Sequence, residues 1–207
     1  LALVLGLPLP GLLFLTWPFW WRWIRQPLAP APLSAWPRRW IWLWPLAASV
    51  LLMSFAVPRL SFSLWEDEDV AVRKFVVGQH EPAKDGSYRL DPVSWDETIF
   101  GFWRPTNHVP QSLLSRVSHE LWRVSHPRDP QGFSEAALRI PALGSALLAL
   151  FALTGFVREA GFPIAAGFTP FLFAVHPWFI RFGSEARGYS LSFLMLVVAL
   201  WSVLVLV

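Results

Sequence analysis

From Trp40 to Pro58 the chain carries no charged residue, and the run is bounded by Arg38-Arg39 and Arg59. Its length matches the roughly 20 residues a helix needs to cross about 30 Å of hydrocarbon. Within lipid every backbone N–H and C=O must find its partner inside the segment, so a run of this kind has to be helical. Five stretches read this way: Leu1–Trp21, Trp40–Leu60, Ala136–Val157, Phe162–Ile180 and Tyr189–Val207. The expected fold is an all-α, polytopic transmembrane helix bundle. Charged residues make up only 15% of the chain, where a soluble domain carries about a quarter. Pro163, Pro170 and Pro177 predict a kinked fourth span. There is no cysteine, which excludes disulfide and thiolate chemistry. The chain starts at Leu1 and stops inside an apolar run, which reads as a piece of a longer protein.

The loops predict an orientation. Arg22, Arg25, Arg38 and Arg39 lie between the first two spans without an acidic residue, which marks that loop as cytoplasmic. The same rule accounts for the net charge of +3, so the basic balance does not imply nucleic acid. Residues 1–39 form an N-terminal span and a basic, Pro-rich loop, and residues 40–207 form the main transmembrane module. Its loop 61–134 falls on the outer side and is too long to be structureless. Two amphipathic patterns occupy it. Trp65, Val72 and Phe75/Val76 share one helix face; Leu113, Val117 and Leu121, flanked by Leu114 and Trp122, mark a second helix. Both are expected to lie on the membrane surface, with turns at Asp85-Gly86 and Asp91-Pro92 between them.

Against this background the run Glu66-Asp67-Glu68-Asp69, at the mouth of a span, is the first candidate site. Acids favour a helix N-terminus, which explains one or two carboxylates but not four. A carboxylate held near low dielectric can serve as a general base. His108, in Asn107-His108-Val109-Pro110, either caps the second surface helix or lines the same cavity as the acids. Arg139, just inside the third span, either snorkels to the interface or holds a lipid phosphate. The fourth element is His176-Pro177, Arg181 and Ser184-Glu185-Ala186-Arg187-Gly188-Tyr189. There Glu185 and Arg187 are either a loop ion pair or part of a site, and Tyr189 fits the aromatic belt. The loop order puts this element and the acidic run on one face of the membrane.

The order of these elements resembles the C-type membrane glycosyltransferases of the protein O-mannosyltransferase and aminoarabinose-transferase superfamily, in their uncharacterised bacterial branch. The similarity covers about Trp40 to Val207. It rests on Asp67-Glu68 at the outer end of a span, on Asn107-His108-Val109-Pro110, on Leu138-Arg139-Ile140-Pro141-Ala142-Leu143-Gly144, and on His176-Pro177 followed by Ser184-Glu185-Ala186-Arg187-Gly188-Tyr189. The resemblance implies transfer of a sugar from a polyprenyl-phosphate carrier to an acceptor hydroxyl on the outer face, with inversion at the anomeric carbon. It implies Asp67 as general base, Glu68 as the neighbouring catalytic residue that orients substrate, and Arg139 as a carrier-phosphate contact. His108 would stand in the family's His-Pro-Pro element, from which this chain departs at Asn107 and Val109. His108, Glu185, Arg187 and Tyr189 complete the expected substrate and carrier-phosphate set. No cofactor is implied with certainty, and a divalent cation stays open. The expected location is a bacterial plasma membrane, with lipid-linked sugar, membrane lipid and an acceptor as partners and no nucleic acid. The competing readings are an ion-coupled transporter or channel, which would carry charges inside its spans, and a non-catalytic membrane assembly protein.

Overall fold

The computed structural model describes residues 40–82, 88–101, 107–127 and 132–206, with backbone alone for residues 80, 81 and 88–90. The predicted span Leu1–Trp21 and the basic loop that follows it lie outside the described residues. A 3₁₀ turn at Trp40–Trp42 opens into α1 (Leu43–Ala56), and a second turn carries the chain to Arg59. Then come α2 (Glu66–Phe75), β1 (Gly78–Pro82), β2 (Tyr88–Pro92), α3 (Trp95–Phe100) and α4 (Val109–Ser125). The remainder is α5 (Glu135–Glu159), α6 (Pro163–Ala174), α7 (Pro177–Gly183) and α8 (Tyr189–Leu206).

Three helical stretches, Trp40–Arg59, Glu135–Glu159 and Tyr189–Leu206, are long and apolar enough to cross a membrane. The helices α6 and α7 make a fourth crossing if counted as one span, broken by a bend of 70°. Of the three prolines expected to kink this segment, Pro177 sits at the break. Its ring denies helical geometry to the residue before it, and His176 is accordingly extended.

Helix α5 is the centre of the bundle. Ala146, Ala149 and Leu150 are fully buried, against Ala48, Leu52 and Ala56 of α1, Ala174 of α6 and Phe179 of α7. Small side chains let helix backbones approach, which matters where packing rather than water exclusion holds helices together. Gly155 shows the limit of that approach, because a Cβ there would collide with the Trp201 ring of α8.

The second amphipathic helix of the sequence is α4, and its polarity is inverted relative to a soluble helix. Gln111, Ser112, Ser115, Arg116 and His119 face inward; Leu114, Val117, Leu121 and Val124 form an exposed apolar row. The reason lies partly in Pro141 of α5. Proline has no N–H to give the carbonyl four residues back, and Ser118 Oγ donates to that Ala137 oxygen at 2.7 Å. Ser115 Oγ donates to the neighbouring Leu138 carbonyl at 2.8 Å. Arg116 ties α4 to α3 by donating to the Ser94 and Val93 carbonyls, each at 2.8 Å, and to Thr98 Oγ1 at 2.6 Å.

The segment between α2 and α3 corrects the all-α expectation in one respect. Residues 78–82 and 88–92 pair as an antiparallel hairpin, Gly78 opposite Pro92 and Pro82 opposite Tyr88. The strand Gly78-Gln79-His80-Glu81-Pro82 contains no β-branched or aromatic residue, so composition alone does not mark it. Gly78 is required at its start: φ is +121°, and a Cβ would overlap the Asp91 carbonyl.

Candidate functional site

Helix α2 repeats its buried positions at Glu68, Ala71, Val72 and Phe75. Val72, Phe75 and Val76 pack on Leu138 and Ala186, as the apolar face read in the sequence requires. Glu68, four residues before Val72, is carried inward by the same helical phase. Its carboxylate receives Arg139 Nε at 2.9 Å and Nη2 at 2.6 Å, both side chains being fully buried. The Ala186 N–H donates to the same carboxylate at 2.5 Å. Glu68 thus joins α2, α5 and the 184–188 segment at one point.

Arg139 spends every donor inside the protein. Beyond Glu68, Nη1 donates to the carbonyls of Arg59, Leu60 and Phe62 at 3.1, 3.0 and 2.6 Å, and Nη2 to that of Ser63 at 3.3 Å. It therefore gathers the turn that leaves α1 and fixes it to α2. No N–H of Arg139 is left for a phosphate, so this arginine stands beneath the candidate site, where the resemblance had it touching the carrier.

Above that buried pair is an open one. Asp67 Oδ2 accepts from Arg187 Nη1 at 3.3 Å; the Asp67 side chain is 51% exposed and that of Arg187 14%. The Arg187 guanidinium lies 4.7 Å from the Tyr189 ring and 5.8 Å from the Trp65 indole. His108 packs on Tyr189 with ring centroids 5.5 Å apart. Its side chain meets Gly188, where a Cβ would come within 2.8 Å of His108 Cβ. Burial, and then the nearby Arg187, push the His108 imidazole below its ordinary value of 6.5. The helix N-termini of α2, α4 and α8 thus meet at one end of the bundle, around Asp67, His108, Arg187 and Tyr189.

Glu185 belongs to a second group of charges near Trp65. Its carboxylate receives Arg181 Nε, and the Arg181 guanidinium stacks 4.4 Å from the Trp65 indole. With Glu68, Arg139, Arg59 and Ser184 they border a cavity of about 270 Å³. Asp67 and Arg187 are outside it. The motifs named Arg181 within the fourth element, but they did not single out Trp65 or Arg59 as site residues. The aromatic preceding the acidic run was a readable signal for Trp65. No sequence signal brings Arg59 to Arg181, because that meeting depends on the bend before α7.

Among the described residues no group of three or more His, Asp or Glu side chains is arranged to hold a metal ion. What the arrangement offers chemically is an accessible carboxylate beside an arginine and two aromatic faces, on a rigid buried foundation. No protein-family model, curated protein or solved structure matches the chain.

Proposed function

We propose that the protein is a multi-pass membrane glycosyltransferase of C-type architecture. It moves a sugar from a polyprenyl-phosphate carrier to an acceptor hydroxyl at the outer face of a bacterial plasma membrane. One observation carries the reading: Asp67 and Arg187, separated by 120 residues, meet at the mouth of a membrane-length helix above a buried carboxylate–arginine pair. A carboxylate and a cation that converge at a lipid surface are the minimum set for displacing a phosphate. The leaving group is already good, so the reaction needs a base on the acceptor and positive charge on the departing oxygens.

In this reading Asp67 takes the proton of the acceptor hydroxyl as its oxygen attacks the anomeric carbon. The bond from that carbon to the phosphate oxygen breaks, its electron pair leaves with the polyprenyl phosphate, and the configuration inverts. Arg187 orients Asp67 and adds positive charge. Glu68 and Arg139 act as positioning residues, since Glu68 holds the Ala186 amide and so the backbone from which Arg187 projects. Tyr189 and His108 wall the site, while Glu185 secures Arg181.

The test incubates membranes containing the protein with a panel of labelled polyprenyl-phosphate sugars. Wild-type protein is expected to deplete carrier-linked label and yield labelled product, and Asp67→Asn to abolish that transfer while inserting normally. Full activity in Asp67→Asn would remove the base assignment. No transfer by wild type across the panel would remove the enzyme.

A further inference from the structure

The cavity behind Trp65 holds an unbalanced charge. Three arginines border it, at 59, 139 and 181, with two carboxylates, Glu68 and Glu185. Arg139 is paired with Glu68 and Arg181 with Glu185, which leaves Arg59 as the surplus cation. Arg59 Nε donates to Ser184 Oγ at 3.2 Å, a bond that aims the side chain across the cavity. Its two terminal nitrogens meet no acceptor among the described residues. Those of Arg181 also lack one, because its bond to Glu185 runs through Nε.

A cation at the end of a membrane-length helix commonly needs nothing more than water, and a helix C-terminus favours a positive side chain. Two features go beyond that account. Arg59 is turned inward by Ser184, which is itself buried at 3% exposure. Glu185 is also buried at 6%, yet its Oε2 has no hydrogen-bond donor. The cavity therefore presents unused guanidinium donors and one unused carboxylate acceptor. A ligand carrying both an anion and a hydroxyl answers both.

We infer that this cavity binds the phosphate of a lipid-linked, hydroxyl-bearing headgroup, with Arg59 and Arg181 as its ligands. Guanidinium forks match phosphate oxygens better than any other side chain, and pockets of this kind between membrane helices take lipid headgroups. The identity of the lipid rests on the transferase reading; the anion site itself does not. It also divides the labour around Trp65. The indole borders the phosphate cavity, and Arg187, the partner of the base, approaches the same ring at 5.8 Å without lining that cavity. The proposed phosphate ligands thus neighbour the Asp67–Arg187 pair, with Arg187 able to add its charge from the side of the base.

The experiment measures binding of polyprenyl phosphate, of the matching polyprenol and of inorganic phosphate to the full chain in lipid nanodiscs. Wild type is expected to prefer polyprenyl phosphate to polyprenol. Arg59→Gln should weaken the phosphate lipid about tenfold or more, Arg59→Lys should lose less, and polyprenol should bind all three alike. Ser184→Ala, which leaves the charge but releases its aim, should show a smaller loss. Unchanged preference in Arg59→Gln would overturn the site, as would a parallel loss of polyprenol. Inorganic phosphate binding as tightly as the lipid would overturn the lipid as its source. Binding that responds to Arg59 without any sugar transfer would sink the transferase and leave the site standing. Transfer that persists undiminished in Arg59→Gln would do the reverse.

Discussion

Asp67 and Glu68 are adjacent, and each meets an arginine from far along the chain, but the two pairs live in different media. The Glu68–Arg139 pair is sealed, with exposures of 0% and 3%. The Asp67–Arg187 pair opens to solvent through an aspartate that is 51% exposed. One step along an α-helix turns a side chain by about 100°, and that rotation sends Glu68 into the core while Asp67 stays open to solvent. The inner pair also collects four backbone carbonyls, while the side chains of the outer one share one hydrogen bond, at 3.3 Å, and no other among the described residues. The densest hydrogen bonding lies next to the residue that the proposed transfer uses as its base.

The strongest way to test this division is to break the inner pair. Arg139→Ala leaves Glu68 buried without its cation and strips the donors from the turn between Arg59 and Ser63. Removing one partner of a buried pair costs about 3–5 kcal/mol, so thermal unfolding in detergent should fall sharply. Replacing both charges, as Glu68→Leu with Arg139→Met, should recover part of that loss. An Arg139→Ala protein that melts with wild type would mean the pair is not the foundation.

A smaller effect is expected at the contact that aligns the outer pair. Gly188→Ala would place a methyl 2.8 Å from His108 Cβ, and overpacking of this kind costs about 1–3 kcal/mol. Because Gly188 follows Arg187 directly, transfer should drop as well. If melting and transfer are both unchanged, the 184–188 segment is looser than the fit implies.

Much of the inner half could be read in advance, though only in part. The membrane-length runs are legible because lipid leaves a backbone few options. The inward turn of Glu68 was also available, since it stands four residues before Val72 and seven before Phe75 on the predicted apolar face. Reading the four acids as one cluster conceals it. The saturation of Arg139 was not available. Its acceptors come from a turn between Arg59 and Ser63, and no periodicity encodes where those carbonyls point. The same holds for Arg59 and Arg181, and for a hairpin whose first strand lacks strand-forming residues.

Acid separates the halves in another way. His108 is pushed down from 6.5 by burial and then by Arg187; His119 is pushed down by burial, which outweighs Glu120, with Arg123 adding to the fall. A depressed histidine stays neutral when folded but takes a proton near pH 6.5 when unfolded. Below that value the unfolded chain binds more protons, so stability is complete above about pH 6.5 and declines as pH falls toward the folded values. His119 packs between the rings of Trp122 and Phe133, so His119→Phe should flatten the decline seen in melting temperature against pH. A decline as steep as in wild type would assign it to another group.

The smallest effect on stability belongs to the outer pair, and there the contrast with function is sharpest. Exposed ion pairs contribute about 0–1 kcal/mol and are screened by salt. A double-mutant cycle with Asp67→Asn and Arg187→Gln should give a coupling within that range from melting data, shrinking further as ionic strength rises. The same cycle read by sugar transfer should show strong non-additivity, because base and cation act in one step and either loss alone disables it. The inner pair should behave the opposite way, with coupling in stability that salt does not reach. Large, salt-independent stability coupling between Asp67 and Arg187 would make them a second structural clamp and strip the site of its base.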